Sequence, residues 1–181
     1  MSRESRVPSP EPRVPRDKTG NWVLATAFHI GVISDTHGLL RPEAVRALRG
    51  ADHIIHAGDV GAPEILQQLA SIAPGAVTAI RGNVDNADWA RGLPETEVVE
   101  LAGVSIYVLH DLAQLDLKPD AAGFKVVISG HSHVPKQAKR SGVLYFNPGS
   151  AGPRRFKLPV TVGKLTVSDG NVRGEIVQIL E

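Results

Sequence analysis

The pattern of apolar and polar positions changes near Phe28. Between Met1 and about Gly20, Pro8, Pro10, Pro12 and Pro15 recur among Arg, Ser and Glu, and almost nothing apolar is available to bury. A segment of that kind cannot offset its own ordering entropy, so residues 1–27 are expected to be a disordered Pro/Arg-rich extension and residues 28–181 the folded domain. From His29 to Ser34 an apolar run reads as a buried strand that delivers Asp-Thr-His-Gly. Pro42 then opens a helix whose Ala44, Val45 and Leu48 share one face, and Gly50 closes it. The unit repeats at once: a strand over 52–57, the loop Gly58-Asp59-Val60-Gly61, and a helix opened by Pro63 with Ile65, Leu66, Leu69 and Ile72 on one side. A third strand over 76–80 leads into Gly82-Asn83-Val84-Asp85. Successive strand-loop-helix units predict parallel strands joined by right-handed crossovers.

After residue 97 the helical period is lost. Stretches 98–101 and 104–109 flank Ala102-Gly103 as a hairpin. Further strands are expected at 125–128, 143–146, 160–167 and 172–180, the last two joined by Asp169-Gly170-Asn171. An α/β first half followed by a mostly antiparallel second half predicts two packed sheets with helices outside, and ligands at the edge where strand C-termini gather.

Composition narrows the chemistry. With 181 residues, 42% hydrophobic and only 4% aromatic, the chain suits one domain whose core rests on Val, Ile, Leu and Ala. Its 20 basic and 19 acidic residues nearly cancel, so strong nucleic-acid binding is not expected. There is no Cys, which excludes disulfides, thiolate metal sites and cysteine nucleophiles. No apolar run reaches the roughly 18 to 20 residues of a membrane span, and the apolar stretch ending at Ser34 runs into Asp35 and His37 where a cleavage site would need small residues. A cytoplasmic protein without membrane contact is the expectation.

The residues after the expected strands form a series: Asp35 and His37, Asp59, Asn83 and Asp85, His110, then His131 and His133. Each alone has an ordinary reading as a loop, a turn, a helix cap or a core histidine. Two imidazoles bracketing Ser132 after a buried strand are harder to place without a ligand. Together the carboxylates, imidazoles and amide suit hard or borderline divalent ions, Mn²⁺ foremost with Fe²⁺, Zn²⁺ or Ni²⁺ as alternatives, and two ions are needed to use them all.

In their order, Asp-Thr-His (35–37), Gly-Asp (58–59), Gly-Asn-Val-Asp (82–85), His110 and Gly-His-Ser-His (130–133) resemble the blocks of the calcineurin-like metallophosphoesterases, in particular their small single-domain bacterial and archaeal phosphodiesterase branch. The turn Asn147-Pro148-Gly149-Ser150 also looks like one that this branch carries near its site. The resemblance implies a four-layer α-β-β-α sandwich of two mixed sheets. It implies one metal on Asp35, His37 and His133, a second on Asn83, His110 and His131, and Asp59 bridging them, with Asn83 also near the substrate. It further implies hydrolysis of a small phosphodiester by a hydroxide shared between the metals, with no side-chain nucleophile. A phosphomonoesterase or nuclease on the same site is the alternative, and a non-catalytic scaffold of the same fold a more distant one; a homo-oligomer is compatible with all three.

His56 and Asp85 are candidates to orient the ligands through hydrogen bonds. Arg154 or Arg155 could clamp a phosphate. Two positions depart from the pattern. Larger family members carry a His where Val84 stands, thought to protonate the leaving group. The block after the His110 ligand commonly continues Gly-His, whereas here it is Asp111-Leu112, which changes one wall of the pocket.

Overall fold

A computed structural model describes residues 27–73 and 76–180. The extension expected over residues 1–27 lies outside them, apart from Ala27. Strand β1 (Phe28–Ile33), helix α1 (Pro42–Leu48), β2 (His53–Ala57), α2 (Pro63–Ile72) and β3 (Val77–Ile80) follow the expected order. Each helix has Pro in its first turn, where a missing N–H costs nothing, and buries a narrow stripe: Ala44 and Leu48 in α1, Ile65 and Leu69 in α2. Those stripes pack with Ile33, Ile54 and Val162 on one face of the first sheet. A fully buried Leu or Ile contributes roughly 1.5–3 kcal/mol, so these few side chains hold the helices in place.

The remaining strands are β4 (Thr96–Leu101), β5 (Val104–Leu109), β6 (Val126–Ile128), β7 (Lys136–Arg140), β8 (Val143–Asn147), β9 (Val160–Ser168) and β10 (Asn171–Leu180). They make two five-stranded sheets in the orders β10-β9-β1-β2-β3 and β4-β5-β6-β8-β7. Facing side chains, among them Val32, Ile55, Ile106, Ile128, Phe146 and Leu165, form the dry core between the sheets.

Three points add to the sequence reading. The second sheet is mixed, because β5, β6 and β8 run parallel to one another and only the flanking β4 and β7 run the other way. The long 110–125 connection crosses over without an α-helix, which no helical period could announce. The last two strands return to the first sheet, β9 lying antiparallel against β1. Strand β7 itself, Lys-Gln-Ala-Lys-Arg, is an exposed sheet edge whose charges discourage pairing with another chain and whose pattern carries no apolar signal. Over the second sheet the outer layer is thin: a 3₁₀ turn at Leu112–Gln114 and the following segment, whose Leu115, Leu117 and Phe124 cover Tyr107 and Val127.

Parallel strands β1, β2 and β3 in one sheet and β5, β6 and β8 in the other bring six C-terminal ends to a common edge. Among the described residues, no helix is long and apolar enough to cross a membrane.

Candidate metal centre

All seven residues expected to bind metal lie in loops at that edge. Five of them sit in the left-handed backbone region: Asp35 (φ 55°), His37 (47°), Asp59 (54°), His131 (64°) and His133 (58°). Asp and His tolerate this region better than branched residues, but each such residue still costs about 1 kcal/mol or more. Among the described residues nine non-glycine positions have positive φ, and five of them are these, so strain is concentrated in the loops that carry the chemistry. Backbone bonds between loops hold it: Asp35 N–H donates to Gly58 O (3.0 Å), His37 N–H to Asp59 O (2.9 Å) and Gly130 N–H to His110 O (2.9 Å).

The side chains converge in two overlapping groups. Asp35, His37 and His133 present their ligand atoms within 4.8 Å of one another, and so do Asp35, Asp59 and His110. His133 Nε2 lies 3.2 Å from Asp35 Oδ1, His110 Nε2 3.3 Å from Asp59 Oδ2, and His37 Nε2 3.9 Å from Asp59 Oδ2. Asn83 Oδ1 and His131 Nδ1 are 3.0 Å apart, and the His131 ring meets the His110 ring edge-on at 5.3 Å between centroids. Asp59 thus lies between His37 on one side and His110 on the other, while Asp35 is shared by both groups.

Protonation shows what the cluster lacks. His110 Nδ1 is 2.7 Å from the Ala57 carbonyl oxygen, which only accepts, so Nδ1 carries the proton and Nε2 turns a lone pair toward two carboxylates. Neither His110 Nε2 nor Asp35 Oδ1 has a hydrogen-bond partner, and both are buried. His37 Nε2 and His133 Nε2 face each other at 3.3 Å. Burial pushes the Asp35 carboxyl up from 3.8 to about 6, against a bond from Ser34. Burial also lowers His37 and His133, keeping both imidazoles neutral ligands. For Asp59, burial works to raise the pKa, but the close His110 ring and the Val84 N–H bond outweigh it and hold the carboxyl below its usual range. Burial works to lower His110, but its contact with Asp59, its bond to Ala57 and the nearby carboxylates outweigh it and raise it. Lone pairs and carboxylate oxygens aimed at a shared space call for cations, and the O/N donor set without thiolates fits divalent ions of the first transition row.

Surrounding groups brace these ligands. Asp85, nearly buried, accepts N–H bonds from Val60 (3.0 Å), Gly61 (2.8 Å) and Gly82 (2.8 Å), and so staples the Asp59 loop to the Asn83 loop. Its role is on backbone, not on ligand side chains as expected. Gly82 has no alternative, since a Cβ there would run into the Asp59 carboxylate and backbone. His56 contacts none of the seven; its Nε2 bonds Thr36 Oγ1 (2.9 Å), and Thr36, between two ligands, donates to Val60 O (2.9 Å). Burial lowers His56 to about 3, so it stays neutral. Asn147 donates to Gly130 O (2.7 Å) and Ser150 Oγ to Asp35 O (3.0 Å), which ties the 147–150 turn to two ligand loops. Thr36 stands in the Asp-Thr-His block and Ser150 in the turn read near the site, but the partners of their hydroxyls, 24 and 115 residues away, escape sequence reasoning. Of the two arginines, Arg155 lines the pocket over His37, Asp59 and His133, with Val84 and Phe156; Arg154 does not.

The chain belongs to the calcineurin-like phosphoesterase superfamily: the model of that superfamily's domain matches residues 28–170. It is 37% identical to a probable metallophosphoesterase of Methanocaldococcus jannaschii, over 82% of this chain and 80% of that one. It is 27% identical to the phosphodiesterase YfcE of Escherichia coli, over 73% and 84%. Among solved structures, Vps29 of Entamoeba histolytica complexed with zinc has the same fold, with a TM-score of 0.65 and 22% identity over 84% of this chain and 100% of that one.

Proposed function

We propose that this protein hydrolyses small phosphodiesters with two divalent metal ions. Asp35, His37 and His133 would hold one ion and Asn83, His110 and His131 the other, with Asp59 between them. The observation that carries the reading is the buried, unpartnered pair His110 Nε2 and Asp35 Oδ1, aimed into one space together with the Asp59 carboxylate. Bound there, the ions would supply an activated water and positive charge for the phosphoryl oxygens.

The chain's own groups do the rest. The Ala57 carbonyl holds the His110 Nδ1 proton, so Nε2 is the nitrogen turned to the site. The Val84 N–H donates to Asp59 Oδ1 (3.0 Å) and keeps that carboxylate turned inward. Arg155, at the rim, supplies a fixed positive charge suited to a non-bridging phosphoryl oxygen. Val84 is 46% exposed beside the same pocket and has no proton to give, so the departing oxygen leaves unassisted by that side chain. This favours esters with acidic leaving groups.

The test is metal analysis of purified protein, then turnover of mono- and diester substrates after chelation and after return of Mn²⁺, Zn²⁺ or Ni²⁺. Diester turnover that disappears with the metal and returns with it supports the reading. Stoichiometric metal without turnover of any ester would favour a scaffold of the same fold, and preference for monoesters would replace the diester assignment.

A further inference from the structure

A cleft of about 560 Å³ runs from the metal centre along the side opposite Arg155. Its inner end is formed by Asn83, His110 and His131. This volume falls in the range of small-molecule sites and would hold a sugar, a polyol or an amino alcohol. A phosphodiester carries two alcohol arms, and with its phosphorus at the converging ligands this cleft, which reaches Asn83, His110 and His131, is open to one of them.

Its charge is unbalanced. Glu95, Asp111 and Asp116 line it against a single guanidinium, Arg81, which is already paired with Glu95. Asp111 directly follows His110, in the place where the family resemblance expects Gly. One of its oxygens accepts the Ala113 N–H (2.9 Å), and the other is left for a ligand. Asp116 has no hydrogen-bond or ion-pair partner among the described residues. Neutral groups, Asn86 and Gln114, complete the wall and offer both donors and acceptors.

We propose that this cleft selects the alcohol arm of the diester and takes one that is uncharged or cationic, excluding an arm that bears a second phosphate. The proposal rests on the phosphodiesterase reading above. It follows from the carboxylates of Asp111 and Asp116, which repel an anion placed between them and the metal ligands and attract a donor-rich or ammonium-bearing group. At separations of several ångströms near a surface, each carboxylate is worth about three- to tenfold in discrimination.

The experiment compares kcat/KM of the Mn²⁺-loaded protein on three p-nitrophenyl diesters that share a leaving group: p-nitrophenyl phosphorylcholine, thymidine p-nitrophenyl phosphate, and the latter with a second phosphate on the sugar. The expected order is cationic, then neutral, then anionic. In Asp111→Asn/Asp116→Asn the ratio of cationic to anionic should shrink about ten- to a hundredfold, and Asp116→Lys should move it further the same way. Calorimetry with phosphorylcholine and glycerol bisphosphate reads the same preference without turnover. An unchanged ratio in these variants, or preference for the anionic arm by the wild type, overturns the cleft assignment while leaving the diesterase reading intact. Failure to cleave even bis(p-nitrophenyl) phosphate with any of the metals overturns both.

Discussion

Replacing Asp35 by Asn should make the metal-free protein more stable at neutral pH while destroying its metal site. Asp35 is fully buried, and its carboxyl is raised from 3.8 to about 6. A raised acid binds its proton more tightly folded than unfolded, so its contribution is fully present below pH 3.8 and is lost as pH rises through about 6. At about 1.4 kcal/mol per unit the loss at neutral pH is roughly 3 kcal/mol, or about 6–12 °C in Tm for a domain of this size. Asn never ionises and escapes it. The substitution is also well accommodated: Asn tolerates the φ of 55°, its oxygen can keep the bond from the His131 N–H, and its amide can donate to His133 Nε2, 3.2 Å from the oxygen it replaces. Thermal unfolding by circular dichroism, with chelator and then with Mn²⁺, reads both sides. Without metal, wild type and variant should unfold together near pH 4 and separate at neutral pH in the variant's favour. With Mn²⁺ the order should reverse, because saturating ligand stabilises only the protein that binds it, by about 4.1 kcal/mol at a thousandfold excess over Kd, more than the roughly 3 kcal/mol lost to the buried carboxylate. A variant less stable than wild type in chelator at neutral pH would refute the account of Asp35 as a carboxylate held in place for a cation.

Asp59→Ala should be the most damaging single change to turnover, since Asp59 is the proposed bridge between the two ions and lies between His37 and His110; metal analysis should show loss beyond one ion per chain, and near wild-type turnover in metal-depleted variant would reject the two-ion reading. Arg155→Ala should lower kcat/KM on diesters about ten- to a hundredfold, as befits a charge-assisted hydrogen bond, while Arg154→Ala, away from the pocket, changes it little; equal effects would remove Arg155 from the site. Val84→His should accelerate esters with basic leaving groups selectively, by up to about 10² to 10⁴ if the imidazole acts as general acid, and so flatten a plot of log turnover against leaving-group pKa. A wild-type plot that is already flat would show that another group supplies the proton.

What could be read in the chain, and what could not, follows from the range of the interactions. Strands β1 to β3 and both helices announce themselves because their burial is one-sided or total and Pro marks each helix start. The Ala102-Gly103 hairpin is legible because Gly103 accepts the positive φ that a tight turn needs (75°), while Ala102 takes its 49° at some cost. Strand β7 is illegible because its partner β8 supplies all the burial and β7 only caps the edge. The parallel pairing of β6 with β5 and β8 is illegible too, since residues 126–128 read the same in either direction. In the site, the loops bearing Asp35, Asp59, Asn83, His110 and His131 stand out because each ends a strand with polar residues that no core would accept. The bracing of those loops does not, because Asp85 acts on backbone N–H groups and His56 acts through Thr36, and neither carries a local signature. Nor does the sequence say which of two adjacent arginines faces inward, since a loop without period does not assign its sides.

The concentration of left-handed residues among the ligands has a consequence for how the site works. The facing His37 and His133 nitrogens, 3.3 Å apart, are kept together by bonds that do not involve the donor atoms: Gly58 and Asp59 carbonyls accept from the Asp35 and His37 N–H groups, and Asp85 gathers three N–H groups from the next two loops. Loops braced in this way have less to order when an ion binds, which leaves more of its binding energy for affinity. The same argument explains why glycine stands at residue 82, where any Cβ would displace the Asp59 carboxylate from between the two groups.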